Sequence, residues 1–587
     1  MRKNSKGMAK YTSAMQMKSD VAGITLISLV VTIIVLIILA AVSINLVLGD
    51  NGIISRAIQA ADRQKEAAEN ELAMLNQLED FLNSESEDKD YLIYVVDTTG
   101  DRNKEPIYTI GIPSGNYSYN FIVDWGDGTT STYKTDNSSV TPIDVNHIYD
   151  SEGSYTIKIK GLMQGGISSF GGAITEIKTG FPKSMGIIQD DFSGLLQNST
   201  IKSIPEDMFK YTPNVTNLAW AFAATGITTI PSNLVSNLTD LVNVEAMFYG
   251  CYNLTSIPDN LFTKNTKISE MNRIFEACGQ LGAIPENIFT GKTNLNNIYN
   301  TFKDCTSLTQ IPENLFNNNT NLQEIAGTFS GCTGITQIPE NLFSNGTNIV
   351  DLHSIFQNCR GIKSIPSNLF VNLSNITRYS LMFQGCTGLT SIPDKLFYSN
   401  QEIILGGLFN GCTGITSIPE NLFVNVPKLR TTSGNFYGCT GITSIPSNLY
   451  ASNTELTTVS DEFHNCTNLT SIPSTLFANN TKLYNVTSLF RGCTGLNSIP
   501  SNLFVNNTQL SDIQSLFYGC TNITVLPSDL FANNTKLSMT GYAFYNCKSM
   551  TGNAIPFWNT ISGTGNSNTY YGCTSLSDYA SIPTGWK

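Results

Sequence analysis

Thirteen cysteines are the residues of this chain best suited to chemistry: Cys251, Cys278, Cys305, Cys332, Cys359, Cys386, Cys412, Cys439, Cys466, Cys493, Cys520, Cys547 and Cys573. Neighbours lie 27 residues apart ten times and 26 twice. Thiols at such regular spacing could ligate a metal, form disulfides or serve redox catalysis. Zinc needs clustered ligands of the C-x-x-C kind, and no two of these cysteines are that close. A period in this range marks a solenoid, in which equivalent residues stack roughly 4.8 Å apart with parallel side chains. Disulfides want Cβ atoms about 3.5 to 4.5 Å apart and turned toward each other, so neighbouring rungs are poorly placed to bridge. The odd count leaves at least one thiol free in a monomer. The expectation is a reduced, structural ladder of small buried side chains.

Other catalytic constellations are thin. The three histidines, His147, His353 and His464, share neither a motif nor a phase of the repeat, so they offer no H-E-x-x-H pair. There is no G-x-S-x-G, no P-loop and no G-x-G-x-x-G opening a helix. No catalytic residue, cofactor or metal site is expected. With 46 acidic against 34 basic residues and no basic cluster beyond the N-terminus, nucleic acid is not an expected partner.

The elements that would position the cysteines follow from one period. From Cys305, apolar residues fall at Leu308, Ile311, Leu315, Phe316, Leu322, Ile325 and Phe329 before Cys332 restarts the count. L-x-x-I-P has the spacing of a short inward-pointing strand closed by a proline. Stretches such as "NNNTN" and "GCTG" supply turns. One such coil cannot bury its own apolar face, so the coils must stack.

The pattern F-x-x-C-x-x-L-x-x-I-P-x-x-L-F resembles the leucine-rich repeats of BspA-type bacterial surface proteins, with a slightly longer unit, over roughly residues 190–587. Ile-Pro pairs at 204 and 230 show coils ahead of the first cysteine, with Ala224 or Thr225 in the cysteine slot. The expected divisions are an N-terminal cap with irregular coils at 162–221, regular repeats at 222–551 and a C-terminal cap coil at 552–587. Irregular ends read as caps that shield a stack from water.

Residues 23–48, "GITLISLVVTIIVLIILAAVSINLVL", carry no charge. As a helix, residues 24–48 would span about 38 Å, enough for a bilayer core of about 30 Å and too long for an ordinary signal peptide. Arg2, Lys3, Lys6, Lys10 and Lys18 precede them against one Asp20, which orients the N-terminus to the cytoplasm and the rest to the exterior. The segment also resembles the class III signal of type IV pilins. That resemblance implies a basic leader at 1–23, cleavage by a prepilin peptidase between Gly23 and Ile24, and methylation of the new amine. Ser28 stands where that family carries a glutamate used in filament assembly, so processing is implied more directly than polymerisation. An uncleaved anchor is the other reading.

Residues 49–90 read as a stalk helix, with Ile54, Ile58, Ala61, Ala68, Leu72 and Leu75 on one face, ending in the charged joint "NSESEDKD". Residues 91–161 alternate as strands. Their "DWGDGT" and "HIYDSEGSYTIKIKG" resemble a PKD-type immunoglobulin-like domain, which implies a β-sandwich spacer. Asp124 and Asp127 could suggest calcium; a tight turn in which they bond backbone is the simpler reading.

The whole reads as a mainly β protein: a leucine-rich-repeat solenoid of about 27-residue repeats with short parallel strands, preceded by an immunoglobulin-like β-sandwich and an N-terminal transmembrane and stalk α-helix. The expected role is a non-enzymatic adhesin or receptor-like protein on the bacterial cell membrane, presenting its repeats to an extracellular protein or glycan. The alternative is a minor pilin or pseudopilin-type subunit of a pilus or secretion apparatus. In "LQEIAGTF", "IVDLHSIF", "ITRYSLMF", "IILGGLF" and "LRTTSGNF" the apolar frame recurs while the residues between change, as a binding face would require.

Overall fold

The computed structural model describes residues 33–37, 88–99, 107–113, 115–135, 143–170, 173–399, 402–561 and 564–587. Two compact units divide the chain, Met1–Glu87 and Asp88–Lys587. In the first, residues 33–37 are helical and exposed. Gly23, Ile24, the rest of the 24–48 segment and the stalk up to residue 87 lie outside the described residues. No helix among the described residues is long and apolar enough to cross a membrane.

The second unit begins with seven strands: β1 (Leu92–Asp97), β2 (Ile107–Ile112), β3 (Tyr119–Asp124), β4 (Thr130–Thr135), β5 (Ile143–Ile148), β6 (Ser154–Met163) and β7 (Ile174–Ile177). Five form an antiparallel sheet in the order β4-β3-β6-β1-β7, and β2 pairs with β5. Alternation explains the faces: in β3, Tyr119, Phe121 and Val123 are buried while Asn120 and Ile122 are exposed. The sheets meet through aromatic rings, Tyr94 lying 6.0 Å from Tyr108 and 5.0 Å from Phe170. β7 lies past Gly161, within the stretch expected to cap the repeats, yet pairs with β1.

No break separates this layer from the coils. Phe170 N–H donates to Leu195 O and Thr200 N–H to Ile174 O. Phe170, Phe181, Phe192, Phe209 and Phe222 follow one another at 5.2–6.4 Å, carrying one apolar core from the sheets into the solenoid. Beyond them two phenylalanine stacks run the length of the repeats. One, from Phe222 to Tyr570, spaces its rings 5.4–6.1 Å apart within 18° of parallel. The other runs from Phe289 through Phe316, Phe343 and onward to Phe531. Each ring removes an apolar surface worth about 1.5–3 kcal/mol from water, which fixes the coil period.

The inter-coil ladder does not sit at L-x-x-I-P, where the spacing placed a strand. That rung is extended but makes about one bond per coil, as in Thr470 N–H to Thr443 O at 3.2 Å. The main ladder lies just before and through the F-x-x-C segment. There Ile325, Gly327, Phe329 and Gly331 donate to Asp351, His353, Ile355 and Gln357 at 3.4, 2.8, 3.1 and 2.7 Å. The intervening N–H groups of Thr328, Ser330 and Cys332 turn back on Ile325, Gly327 and Phe329 of their own coil. Of these seven donors, four bond to the next coil and three within their own.

This alternation needs two left-handed residues per coil, five and one before the cysteine, such as Gly327 (φ 65°) and Gly331 (φ 75°). Such a chain of turns is too kinked to continue as a strand. Among the described residues, regular parallel pairing is therefore confined to β8 (Ile403–Gly406), β9 (Leu429–Ser433) and β10 (Thr458–Ser460), with single bridges such as Glu324 with Asp351 elsewhere. In "GCTG" the two glycines differ: Gly438 has φ 67°, whereas a Cβ on Gly441 would stand 2.4 Å from Ile415 O.

At the C-terminal end the last coil closes differently. Asn568 and Tyr570 donate to Gly585 O and Trp586 O, which take the place of a following rung. Trp558 and Trp586 cover Tyr570.

Candidate binding face

All thirteen cysteines are reduced and buried. Each Sγ lies 2.8–3.2 Å from the carbonyl oxygen of a phenylalanine one coil back, the pair Cys332 and Phe302 being typical at 3.0 Å. The thiol acts as a donor as well as a small hydrophobe, a role the spacing alone does not reveal. Burial pushes Cys251 up to about 11, and Cys412 and Cys520 to about 12, so these thiols stay protonated and inert. Upstream the slot belongs to Thr225, whose hydroxyl reaches Phe222 O at 2.9 Å and Cys251 Sγ at 3.3 Å; Ala224 is the left-handed residue before it.

A second ladder escaped sequence reading. Asn265, Asn319, Asn453, Asn480, Asn507 and Asn534 are buried, and each Nδ2 donates to two carbonyls of the preceding coil, as Asn480 does to Tyr450 O (3.1 Å) and Asn453 O (2.8 Å). Lys292 takes the same slot, its Nζ 3.1 Å from Phe262 O; burial lowers its pKa to about 8. Inside the core, Glu462 accepts from Tyr450 Oη at 2.8 Å and from Asn435 Nδ2 at 3.0 and 3.2 Å. Burial raises this carboxyl to about 7 against the pull of those donors.

With its inner positions filled by ladders, a coil has freedom only outside. On the main ladder the outward positions lie eight, six and two residues before the cysteine. Tyr299, Ala326, His353 and Ser380 form one outward column, and Glu324, Asp351 and Arg378 another. Together these seven residues line an open cleft of about 510 Å³. Arg378 Nη1 lies 3.2 Å from Asp351 Oδ2, and Asn297 Nδ2 donates to Glu324 at 2.9 Å. The cleft thus offers one half-exposed phenol ring, two carboxylates, an imidazole and a guanidinium at fixed spacing. His464 stands apart on the same face, 3.0 Å from Asp461 and 4.4 Å from the Tyr437 ring.

His147 belongs to the sheets. Its ring stacks on Trp125 at 4.6 Å and 7°, and Nε2 lies 2.6 Å from Asp127 Oδ2. Asp127 Oδ1 accepts the N–H and hydroxyl of Thr129, and Asp124 Oδ1 accepts Gly126 N–H. Partial burial raises the Asp127 carboxyl, but the bonds from Thr129 and His147 outweigh it and hold the group at about 2. Gly126 has φ 78°, and a Cβ there would meet Thr156 O at 2.5 Å. Both aspartates are thus engaged in turn geometry. No group of three or more acidic, histidine or cysteine side chains suited to a metal occurs among the described residues.

The repeats match the family described as BspA type leucine rich repeat region in six copies, over residues 189–296, 275–430 and 409–538, together more than half of the chain. No curated protein matches the chain. Among solved structures, a chain of the Drosophila Toll–Spatzle complex is similar at 19% identity and a TM-score of 0.44, with 61% of this chain and 43% of that chain covered. The chain therefore spans less than half the length of that relative. A leucine rich cell surface protein from Faecalibacterium prausnitzii A2-165 is similar at 18% identity and a TM-score of 0.27, covering 67% of this chain and 94% of the other.

Proposed function

Because the chain belongs to the BspA-type leucine-rich repeat family, we propose that it is a non-enzymatic surface binding protein whose main-ladder face engages an extracellular protein or glycan. The observation that carries this reading is the contrast between columns. Inward positions repeat Phe, Cys, Leu and Ile through coil after coil, whereas the column that lines the cleft runs Tyr299, Ala326, His353, Ser380. A rigid frame with free outward positions is preorganised for binding, because little conformational entropy remains to be lost.

The remaining segments complete this reading. Residues 24–48 are the membrane anchor, with the N-terminus cytoplasmic and residues 49–587 outside the bacterial cell. A prepilin peptidase cuts between Gly23 and Ile24, residues 49–90 are a stalk, and residues 91–161 are a PKD-like spacer with an immunoglobulin-like sandwich fold. The uncharged run of 23–48 behind five basic residues supports the anchor. The alternative role, a minor pilin or pseudopilin, draws on the same segment.

Two experiments separate these roles. Mass spectrometry of the N-terminal peptide from native cells would give a mature protein starting at Ile24 if the peptidase acts, and one starting near Met1 if the segment is a plain anchor. Binding of the protein to cells or matrix supports the adhesin; co-purification with sheared filaments without such binding supports the pilin-type subunit.

A further inference from the structure

The main-ladder face changes character along the solenoid. Two residues before the cysteine, the middle coils carry Ser330, Gln357, Gln384 and Asn410, whereas the next six carry Tyr437, His464, Arg491, Tyr518, Tyr545 and Tyr571. These six planar groups run in series. The Arg491 guanidinium lies 4.2 Å from the Tyr518 ring centre, Tyr518 stacks on Tyr545 at 4.6 Å and 4°, and Tyr545 on Tyr571 at 4.7 Å and 13°. Tyr542 leans on Tyr545 at 5.8 Å and 49°, so its plane crosses the stack. Tyr542, Tyr571 and Met539 are 41%, 46% and 39% exposed. The result is a solvent-facing aromatic corner at the end of a strip that advances one ring per coil.

We propose that this strip binds an extended, uncharged polysaccharide. The inference rests on the binding-face reading above and gives it a site and a ligand class. Exposed aromatic surface of this kind, rimmed by polar groups, marks a place of contact. Its polar neighbours, Gln514, Asp512 and the phenol hydroxyls, suit a ligand that alternates apolar C–H faces with hydroxyl groups, which is the surface of a pyranose ring. Its linear course, without an enclosed pocket, suits a polymer over a compact ligand. Charge sets the choice among polymers: Arg491 stands against Asp461 and Asp512 on the same face, so the strip has no cationic surplus to hold an acidic chain and only a single negative charge in excess to hold a basic one. The Phe517, Phe544 and Tyr570 rings stacked beneath hold it rigid.

The test is affinity electrophoresis of the full chain, in a sugar-free detergent, through gels containing a mixed-linkage β-glucan, a mannan or a xylan, with polygalacturonate as the charged comparison. At least one neutral polysaccharide should retard the protein. Tyr542→Ala/Tyr571→Ala should weaken that binding by about tenfold, equivalent to about 1.4 kcal/mol. Tyr545→Phe, which keeps the stack and removes one hydroxyl, should weaken it in the same direction with an unchanged melting temperature. Tyr252→Ala, at an exposed ring off this face, should leave it intact.

Retardation by polygalacturonate alone, by nothing, or equally in all variants would overturn the proposal. The same variants applied to cells distinguish it from the broader reading. Undiminished cell binding by Tyr542→Ala/Tyr571→Ala removes the strip and keeps the adhesin. Polysaccharide binding without any cell binding keeps the strip and removes the adhesin. Cell binding lost in the variants, but abolished by protease and not glycosidase treatment of the cells, points to a protein partner and overturns the glycan assignment.

Discussion

Cys332 Sγ lies 3.0 Å from the carbonyl oxygen of Phe302, which already accepts the N–H of Cys305 at 3.2 Å. One oxygen therefore closes the turn of its own coil and receives the thiol of the next. Repeated at twelve phenylalanines, from Phe248 to Phe544, this relationship ties the cysteines to the register of the stack rather than to reactivity. Cys332→Ala/Cys359→Ala should lower stability by about 1–2 kcal/mol per rung through lost packing and lost donors. Cys332→Ser/Cys359→Ser should cost less than the alanine pair, because a serine hydroxyl keeps a donor beside the carbonyls that the two thiols reach, Phe302 O and Phe329 O. Thermal melting checks the order, and binding should survive in both. Lost binding with unchanged melting would contradict a structural ladder.

The raised thiol pKa values give a second outcome. With Cys251 near 11 and Cys412 and Cys520 near 12, all beyond the reach of solvent, the native protein should show almost no titratable thiol near neutral pH. In denaturant all thirteen should react with a thiol reagent. Rapid reaction of several thiols in the folded state would be inconsistent with the ladder.

Asn480 donates to two buried carbonyls of the coil before it. Asn480→Ala should therefore destabilise by about 1–3 kcal/mol, since it removes the side-chain donor from two buried carbonyls, which keep only the backbone N–H groups of Asn453 and Leu456. Coils that carry Leu373 or Val426 in this slot lack that pair of side-chain donors, so Val426→Ala should cost mainly the removed methyl groups, about 1–2 kcal/mol. Denaturant unfolding of the two variants gives the comparison.

Glu462 supplies the pH dependence. Its carboxyl rises to about 7 in the fold from an ordinary 4.5, so the folded state holds its proton more tightly than the unfolded chain. Stability from this group is full below about 4.5, declines as pH rises and is lost above about 7, a change of about 3 kcal/mol. Tyr450 Oη, Asn435 and the more distant Cys439 and Cys466 thiols face it. Glu462→Gln should flatten the difference between pH 5 and 8 in chemical denaturation, and a parallel pH profile in the two proteins would refute the assignment.

The period and the core columns were legible because Cys and Ile-Pro occur once and Phe twice in a regular coil, and only a residue facing the core is held so constant. The site of the inter-coil ladder was not. L-x-x-I-P has strand-like alternation, whereas the ladder runs through residues of every type in left-handed turns, including Ala246, Arg273, Ser354 and Leu381. No propensity marks such positions, because the bonds that impose them come from the neighbouring coil. The asparagine ladder hid for a related reason. "NNNTN" has the composition of a turn, and only the carbonyls of the preceding coil decide which asparagine is buried. In "SDEFHN" the buried Glu462 looks no different from the partly exposed Asp461 beside it. The aromatic strip was visible letter by letter but emerges only when residues 27 apart are set side by side.

The central claim is that the outward positions of the main ladder bind while the inward ladders only hold them in place. The most direct test compares Tyr299→Ala/Arg378→Ala/Tyr571→Ala, on that face, with Lys363→Ala/Glu340→Ala, exposed around the L-x-x-I-P rung. Binding of each protein to cells or matrix is measured alongside its melting temperature. The account predicts a loss of about tenfold or more for the first set, equivalent to about 1.4 kcal/mol, with melting little changed and the second set like wild type. Full binding by the first set, with loss in the second, would place the binding surface elsewhere and contradict it.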